Sequence, residues 1–135
     1  MALTLNTSLQ NLQADSWGTD LNSGFIDVYT GAQPAANTAP TGTLLVSCAL
    51  AADAYAAASA GVAAKSGTIT GTAVATGTAG YAQQRNAANT RWMYGSVGLP
   101  SSGANLEIDN GAATLVITIN DVVTVATSTI TQPAS

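Results

Sequence analysis

The spacing of apolar residues changes once along this chain, from a helical period to a period of two. Leucines near the start recur at intervals of three and four residues, which predicts one amphipathic helix over residues 6–16 or, at its longest, 6–22. We expect these leucines to dock on the rest of the protein. From Gly24 onward, short alternating segments separated by Gly, Pro and Asn indicate strands and turns. The pattern therefore predicts a single domain over residues 1–135, with a β-rich part spanning 24–131.

The β-rich part divides into seven or eight short segments that favour strands. In the first, FIDVYT, Ile26 and Val28 share one face, and Asp27 is the only polar member of the opposite face. In the next, LLVSCAL, Cys48 is expected to point inward as a buried thiol rather than a reactive one. Strands of this length and number, preceded by one helix, predict a mainly β fold, namely an antiparallel β-sandwich of jelly-roll type.

The C-terminal third shows the clearest alternation in the chain. ANLEID and TLVITI alternate apolar with polar residues, and each is followed by a turn dipeptide, Asn-Gly or Asn-Asp. We therefore expect a three-stranded meander that ends at Pro133. In its last strand Val123 and Val125 have one parity and Ile130 has the other. Either both faces of that strand are covered, or a β-bulge falls near residues 126–128.

The middle of the chain combines an alanine-rich stretch with two further strands. AADAYAAASAGVAAK favours an ordered loop with a single turn, anchored by Tyr55, over a long helix. GYAQQRN and TRWMYGSV favour two strands joined by NAANT, with Trp92 and Tyr94 on one face and Arg91 and Met93 on the other. At least one of Trp92 and Met93 is expected in the core. The aromatic and basic side chains could otherwise form a carbohydrate platform or an interface hot spot.

Charged residues are scarce: they make up 7% of the chain, against about 25% in ordinary globular domains. The net charge is -4, and the cations are Lys65, Arg85 and Arg91. So few cations cannot neutralise a row of phosphates, which argues against nucleic acid as a partner, and an anionic membrane would repel the chain. No stretch reaches the roughly 18 apolar residues of a membrane helix, and the first ten residues lack the pattern of a signal peptide.

Candidate chemistry rests on carboxylates, because the chain has no histidine and one cysteine. That composition excludes Ser-His-Asp and Cys-His catalysis and zinc sites built on imidazole. Glu107 and Asp109 lie two apart on the expected solvent face of a strand, so they do not oppose each other across a sugar as glycosidase carboxylates do. With Asn110 and Asp121 nearby, a divalent cation stays an open alternative to solvated turn residues. We expect a non-enzymatic protein with no catalytic residue, no cofactor and no metal ligand.

Four segments together resemble a group of small structural proteins of tailed bacteriophages and prophages: VYTGAQPAANTAPTGTLLVSCAL, TGTAGYAQ, GSVG and GANLEIDN. With the N-terminal helix and a Thr/Val-rich last strand, the resemblance covers residues 6–131. It implies a capsid decoration (cement) protein of the virion, located on the capsid surface after assembly in the cytoplasm of the bacterial host. Its partner would be the major capsid protein, and it would act as a homotrimer in capsid stabilisation.

The resemblance and the scarcity of charge indicate that the contacts lie on the uncharged loop 31–43, on the loop 51–66 and on the N-terminal helix. The residues expected at the partner interface are Gln33, Pro34, Asn37, Pro40, Tyr55, Arg91, Trp92 and Tyr94. The chain departs from the more apolar strand of the proteins it resembles at AQQRN, residues 82–86, which predicts that one face of this strand is wet or meets a partner. The alternative function is a tail- or neck-associated module that binds host glycan through the aromatic and basic side chains of residues 91–94.

Overall fold

The computed structural model describes residues 4–131, except for the side chains of Ile130 and Thr131. Within that range the chain is mainly β with one N-terminal helix, as predicted, and no helix there is long and apolar enough to cross a membrane. The elements are α1 (Thr7–Asp20), β1 (Phe25–Thr30), β2 (Leu44–Ala49), β3 (Val62–Ala64), β4 (Thr70–Thr72), β5 (Gly77–Arg85), β6 (Trp92–Gly98), β7 (Leu106–Asp109), β8 (Val116–Ile117) and β9 (Val122–Thr131).

Helix α1 begins close to its predicted start because Asn6 caps it: the Asn6 side chain accepts a hydrogen bond from Leu9 N at 2.9 Å. Its buried positions are Ala14 and Gly18, which lie four residues apart on one face. Small residues on this face allow the helix to contact β3 and β9. The expectation that the leucines dock is confirmed for Leu21, which follows the helix and is fully buried. It is wrong for Leu9 and Leu12, which are 40% and 62% exposed, because both lie on the far side of the helix from Ala14.

The strands form one curled sheet in the order β2-β1-β5-β6-β7-β9-β3, with β4 also paired to β9 and β8 to β5. Within the described range the strand pairs are antiparallel except for β6 and β7, which run parallel. The prediction of a wholly antiparallel arrangement is wrong at this pair. Residues 99–105 carry the chain back along β6 before β7 starts, so β7 runs in the same direction as β6. The sheet curls until the segment after β4 reaches β2, where Val74 N donates to Leu45 O at 2.8 Å.

One face of the sheet holds the apolar core, and alternate side chains of β1 and β2 point into it as predicted. Ile26 and Val28 are fully buried, and so is Cys48. Side chains from β7, β8 and β9 complete this core from the other end of the sheet. They are Leu106, Ile108, Ile117, Val123 and Val125.

The predicted C-terminal meander is wrong, because β7 pairs with β9 and β6, whereas β8 pairs with the start of β5. Ile117 is fully buried, and its burial in the core holds β8 away from β7. The alternative of a β-bulge is confirmed: the register shifts between Glu107 and Ile108, which leaves Ala126 as the extra residue of β9. The predicted end at Pro133 lies outside the described residues.

Strand β5 lies in the middle of the sheet, between β1 and β6, and is covered on both faces. Gln83 and Gln84 are almost completely buried, and so is Asn86 just beyond the strand. The expectation of a wet face over residues 82–86 is therefore wrong. The core covers the Gln84 side of β5, and the loop 31–43 covers the other side.

Burial should make Cys48 a slow nucleophile, because its thiol is fully buried in the core and burial raises its pKa to about 11. At pH 8 an aromatic disulfide reagent should therefore label the folded protein roughly a hundredfold or more slowly than the protein in denaturant. The increase in absorbance of the released thiolate measures this rate. Labelling at the same rate in both conditions would show that Cys48 is accessible in the native state.

Candidate interaction surface

The uncharged loop of residues 31–43, which we call the strap, leaves β1 and returns in β2. It crosses the outer face of the sheet, which is the face opposite the core and is formed by alternate residues of β1, β5 and β6. Aromatic side chains dominate that face: Phe25, Tyr29, Tyr81, Trp92 and Tyr94. The strap therefore packs against an aromatic face of its own sheet.

Tyr81 is the centre of this packing and is fully buried. Its hydroxyl donates to Thr41 O at 2.5 Å and accepts from Thr41 N at 2.9 Å, so both main-chain groups of one strap residue are satisfied by one side chain. Its ring stacks on Tyr29, with centroids 5.4 Å apart, and meets the edge of Tyr94 at 5.6 Å. Burial raises the pKa of Tyr29 and of Tyr94, so these phenols stay neutral hydrogen-bonding groups at physiological pH.

Trp92 and Tyr94 of β6 hold the rest of the strap. Trp92 Nε1 donates to Ala36 O at 3.0 Å, and the Tyr94 hydroxyl donates to Thr38 O at 2.7 Å. The sequence correctly predicts that Trp92 and Tyr94 share a face. Three aromatic side chains thus bond four main-chain groups of the strap, which gives a loop without regular secondary structure a defined conformation.

A charged cluster lies beside the aromatic residues on the same outer face. Asp27, the lone polar residue of that side of β1, accepts hydrogen bonds from Ser47 Oγ at 2.5 Å and from Arg85 Nε at 2.7 Å. The Arg85 guanidinium lies 4.3 Å from the centroid of the Phe25 ring. Asp27 is almost completely buried, and the Arg85 guanidinium compensates its negative charge.

Glycines allow the close approach of strap and sheet. Gly31 turns the chain out of β1 with φ of +87°, a conformation that costs other residues free energy. Gly80 of β5 lies directly beneath it, and a Cβ at Gly80 would overlap the carbonyl oxygen of Gly31. At the other end, Thr30 N donates to Thr43 O at 3.0 Å and closes the strap.

The outer side of the strap is the surface that the sequence predicts for a partner. Gln33 and Asn37 are exposed there, and Pro34 and Pro40 are half-buried. The strap carries no charged residue. It is therefore an ordered, uncharged surface that could close on another protein without stripping water from ions.

The structure separates Arg91 from the two aromatic residues beside it in sequence. Arg91 forms a hydrogen-bonded ion pair with Asp20 at the end of α1, and this partner lowers the pKa of the Asp20 carboxyl. Met93 faces α1 as well, and its sulfur accepts a hydrogen bond from Trp17 Nε1. The expectation that Trp92 or Met93 lies in the core is wrong: Trp92 is half-buried under the strap and Met93 is exposed beside the helix.

Tyr55 does not belong to the surface, contrary to its place among the predicted contact residues. It is buried, and its hydroxyl forms a hydrogen bond of 2.8 Å with Ser128 Oγ. It does anchor the loop after β2, as predicted. That loop is held against α1 by side chains of the helix, since Ala58 N donates to Asp15 Oδ1 and Gly61 N donates to Asn11 Oδ1. This leaves less of the loop 51–66 free for a partner than the sequence suggests.

Sequence reasoning missed an exposed apolar corner formed by the segment after β4 and by the turn between β8 and β9. Val74, Val116, Ile119 and Val122 are between 48% and 61% exposed. Main-chain bonds bring their turns together, because Ala73 N donates to Asp121 O and Asn120 N donates to Ala73 O. The signal in the sequence was the apolar pair that flanks the Asn-Asp turn, Ile119 and Val122.

The carboxylates considered for a divalent cation each bind their own turn. Glu107 Oε2 accepts from Gly103 N at 2.9 Å, Asp109 Oδ1 from Gly111 N at 2.7 Å, and Asp121 Oδ2 from Thr118 N at 2.9 Å. Main-chain donors lower the pKa of Glu107, which is buried rather than on a solvent face as expected. In residues 4–131 no group of three Asp, Glu or Cys side chains comes close enough to hold a metal ion.

These features describe a surface suited to binding by burial of uncharged protein area. The strap is free of charge and is held by hydrogen bonds from Tyr81, Trp92 and Tyr94. The polar atoms of these three side chains bond the strap itself rather than point toward a ligand. No protein-family model, no curated protein and no solved structure matches this chain.

Proposed function

We propose that the chain is a non-enzymatic virion protein of a tailed bacteriophage or prophage that decorates the capsid exterior and stabilises it by bridging neighbouring major capsid proteins. The observation that carries the proposal is the strap, an uncharged loop fixed on the sheet by Tyr81, Trp92 and Tyr94. A loop already held in one conformation loses little conformational entropy on binding. Closing an uncharged surface also avoids desolvation of ions.

Copy number and symmetry complete the proposed mechanism. A decoration protein repeated over a symmetric shell gains avidity, because each copy binds with several modest contacts at once. The proposal includes a homotrimer on the capsid surface, assembled in the cytoplasm of the bacterial host. It also includes a jelly-roll-like sandwich as the finer architecture, and its support is that the curled sheet returns β4 to the side of β2.

A single charge on the strap should test this function. Asn37→Asp changes an exposed amide into a carboxylate of the same shape, so the stability of the free protein should change by less than about 0.5 kcal/mol. Its affinity for capsids prepared without the protein should fall roughly tenfold or more, because the carboxylate must lose water at the interface. Sedimentation of bound protein with capsids measures the affinity.

Thr68→Asp provides the matched control, since Thr68 is exposed on the turn before β4 and adds the same charge away from the strap. It should bind like the unmodified protein. Equal binding of the Asn37→Asp and Thr68→Asp variants would contradict a role of the strap in docking.

The alternative, a tail- or neck-associated glycan-binding module, has less support from the described residues. Trp92 and Tyr94 direct their polar atoms to the strap, and Arg91 is paired with Asp20. Quantitative mass spectrometry of purified particles separates the two functions. A decoration protein should be present in on the order of hundreds of copies per particle, and a tail or neck protein in roughly a dozen or fewer.

A further inference from the structure

Strand β6 has an unpaired edge over its first residues. On one side it pairs with β5 from Trp92 to Ser96, but on the other side its pairing with β7 starts only at Val97. The hydrogen bond from Asn86 N to Arg91 O sets the alternation of the β5–β6 ladder. The main-chain groups of Trp92 and Tyr94 therefore point away from β5, toward the unpaired side.

The missing neighbour at this edge is a continuation of β7. Asn105 is the residue before β7, and its side chain accepts a hydrogen bond from Ser96 N at 3.1 Å. The residues before Asn105 belong to the loop and do not extend β7 along β6. Farther along, β7 lies between β6 and β9. Ahead of β7, the edge of β6 has no strand paired to it, and we call this open edge the slot. Neither Tyr94 N nor Tyr94 O forms a hydrogen bond there with residues 4–131.

The slot opens into a small cavity with an unsatisfied acceptor. The cavity measures about 100 Å³ and is lined by Ala82, Gln84, Met93, Gly95, Asn105 and Thr129, among others. Gln84 is 6% exposed, and its Nε2 donates to Ser128 Oγ at 2.9 Å. Its Oε1 is buried and has no partner in the described part of the chain. A buried acceptor without a donor is costly, so a donor that reaches it contributes to binding.

We propose that this slot receives an extended strand of the major capsid protein, added to the edge of β6 through main-chain hydrogen bonds. The inference rests on the proposed function for the identity of the partner. The unpaired groups of Tyr94 require an extended backbone, and the free Oε1 of Gln84 requires a hydroxyl or amide donor on the side chain that points inward. The lining of the slot is uncharged and the cavity is small, so that side chain is a serine, threonine or asparagine rather than a lysine.

The experiment compares two substitutions of Tyr94 in binding to capsids prepared without the protein. Both Tyr94→Pro and Tyr94→Ala lose the ring contact with Tyr81 and the hydroxyl bond to Thr38 O, but only proline removes the amide donor of the open edge. Proline is tolerated at an edge position whose N–H faces outward. We expect the Tyr94→Pro variant to bind roughly tenfold to a hundredfold more weakly than the Tyr94→Ala variant, as one unmade buried hydrogen bond implies.

A second pair of variants does not depend on proline. A Cβ at Gly95 points at Asn105, so Gly95→Val fills the slot from the side away from the strap, whereas Gly95→Ala fills it only in part. Capsid binding should fall in the order unmodified protein, Gly95→Ala, Gly95→Val, while circular dichroism shows each variant folded. The Tyr94 amide of the unmodified protein should exchange with deuterium more slowly once bound.

The outcomes separate this inference from the proposed function. If the unmodified protein does not bind capsids, both are overturned. If it binds, but the variants with proline and alanine at position 94 bind equally and Gly95→Val has no effect, decoration stands and the strand addition is overturned; the slot then holds water only. The expected graded losses support both.

Discussion

Replacing Tyr81 by alanine should lower the free energy of unfolding by about 3–5 kcal/mol, the range for an aromatic side chain lost from a buried site. The substitution removes the stack on Tyr29 and the edge contact with Tyr94, and it leaves the N–H and C=O of Thr41 without their partner. The strap would lose its central attachment. Denaturant unfolding followed by tryptophan fluorescence measures the change, because Trp92 lies beside the strap.

The control for Tyr81→Ala is Tyr81→Phe, which keeps the ring and removes only the hydroxyl. We expect it to cost about 1–3 kcal/mol, since two main-chain groups of Thr41 lose one shared partner. Deuterium exchange of strap amides should rise in both variants. A cost below 1 kcal/mol for Tyr81→Ala, or unchanged exchange in the strap, would show that Tyr81 does not hold this loop.

The second large effect should come from Asp27→Ala, which we expect to destabilise the fold by about 3 kcal/mol. The carboxylate is almost completely buried and compensates Arg85, which is itself mostly covered by the Phe25 ring and the sheet face. Removal of the carboxylate leaves a guanidinium with partial access to water and leaves the Ser47 hydroxyl without its acceptor. Thermal and denaturant unfolding both report this loss.

A double variant separates the ion pair from the packing around it. Asp27→Ala combined with Arg85→Met removes both charges, so it should recover part of the stability that Asp27→Ala loses. Asp27→Asn should lie between the single variant and the unmodified protein, because an amide can still accept from Ser47 Oγ. If the double variant is less stable than Asp27→Ala by the full cost of Arg85→Met alone, the two charges are not coupled.

Local pattern was sufficient for much of the fold. The helix cap at Asn6, the alternation of β1 and β2 and the bulge at Ala126 all depend on near neighbours in sequence, and the structure has each of them. The meander failed because strand pairing depends on distant partners: β8 binds β5 to bury Ile117. The leucines of α1 failed similarly, since the helix uses Ala14 and Gly18 to approach the sheet.

The candidate surface was predictable in composition but not in structure. Residues 31–43 lie within the uncharged stretch 28–52, and their Gly and Pro residues mark them as its loop. Nothing local indicates that Tyr81 and Trp92 would bond the main chain of that loop from positions 40 and 56 residues farther along the chain. The burial of Gln83 and Gln84 of β5 was misread for the same reason, because the strap that covers Gln83 and the strand β9 that faces Gln84 are both remote in sequence.

The most direct test of the proposed function is a cryo-electron microscopy reconstruction of the particle that carries this protein. We expect density for the chain at local symmetry axes on the outside of the shell, with strap residues 33–39 in contact with the major capsid protein. Density confined to the tail or neck would contradict decoration. Density on the shell with the strap facing solvent would contradict the strap as the docking surface.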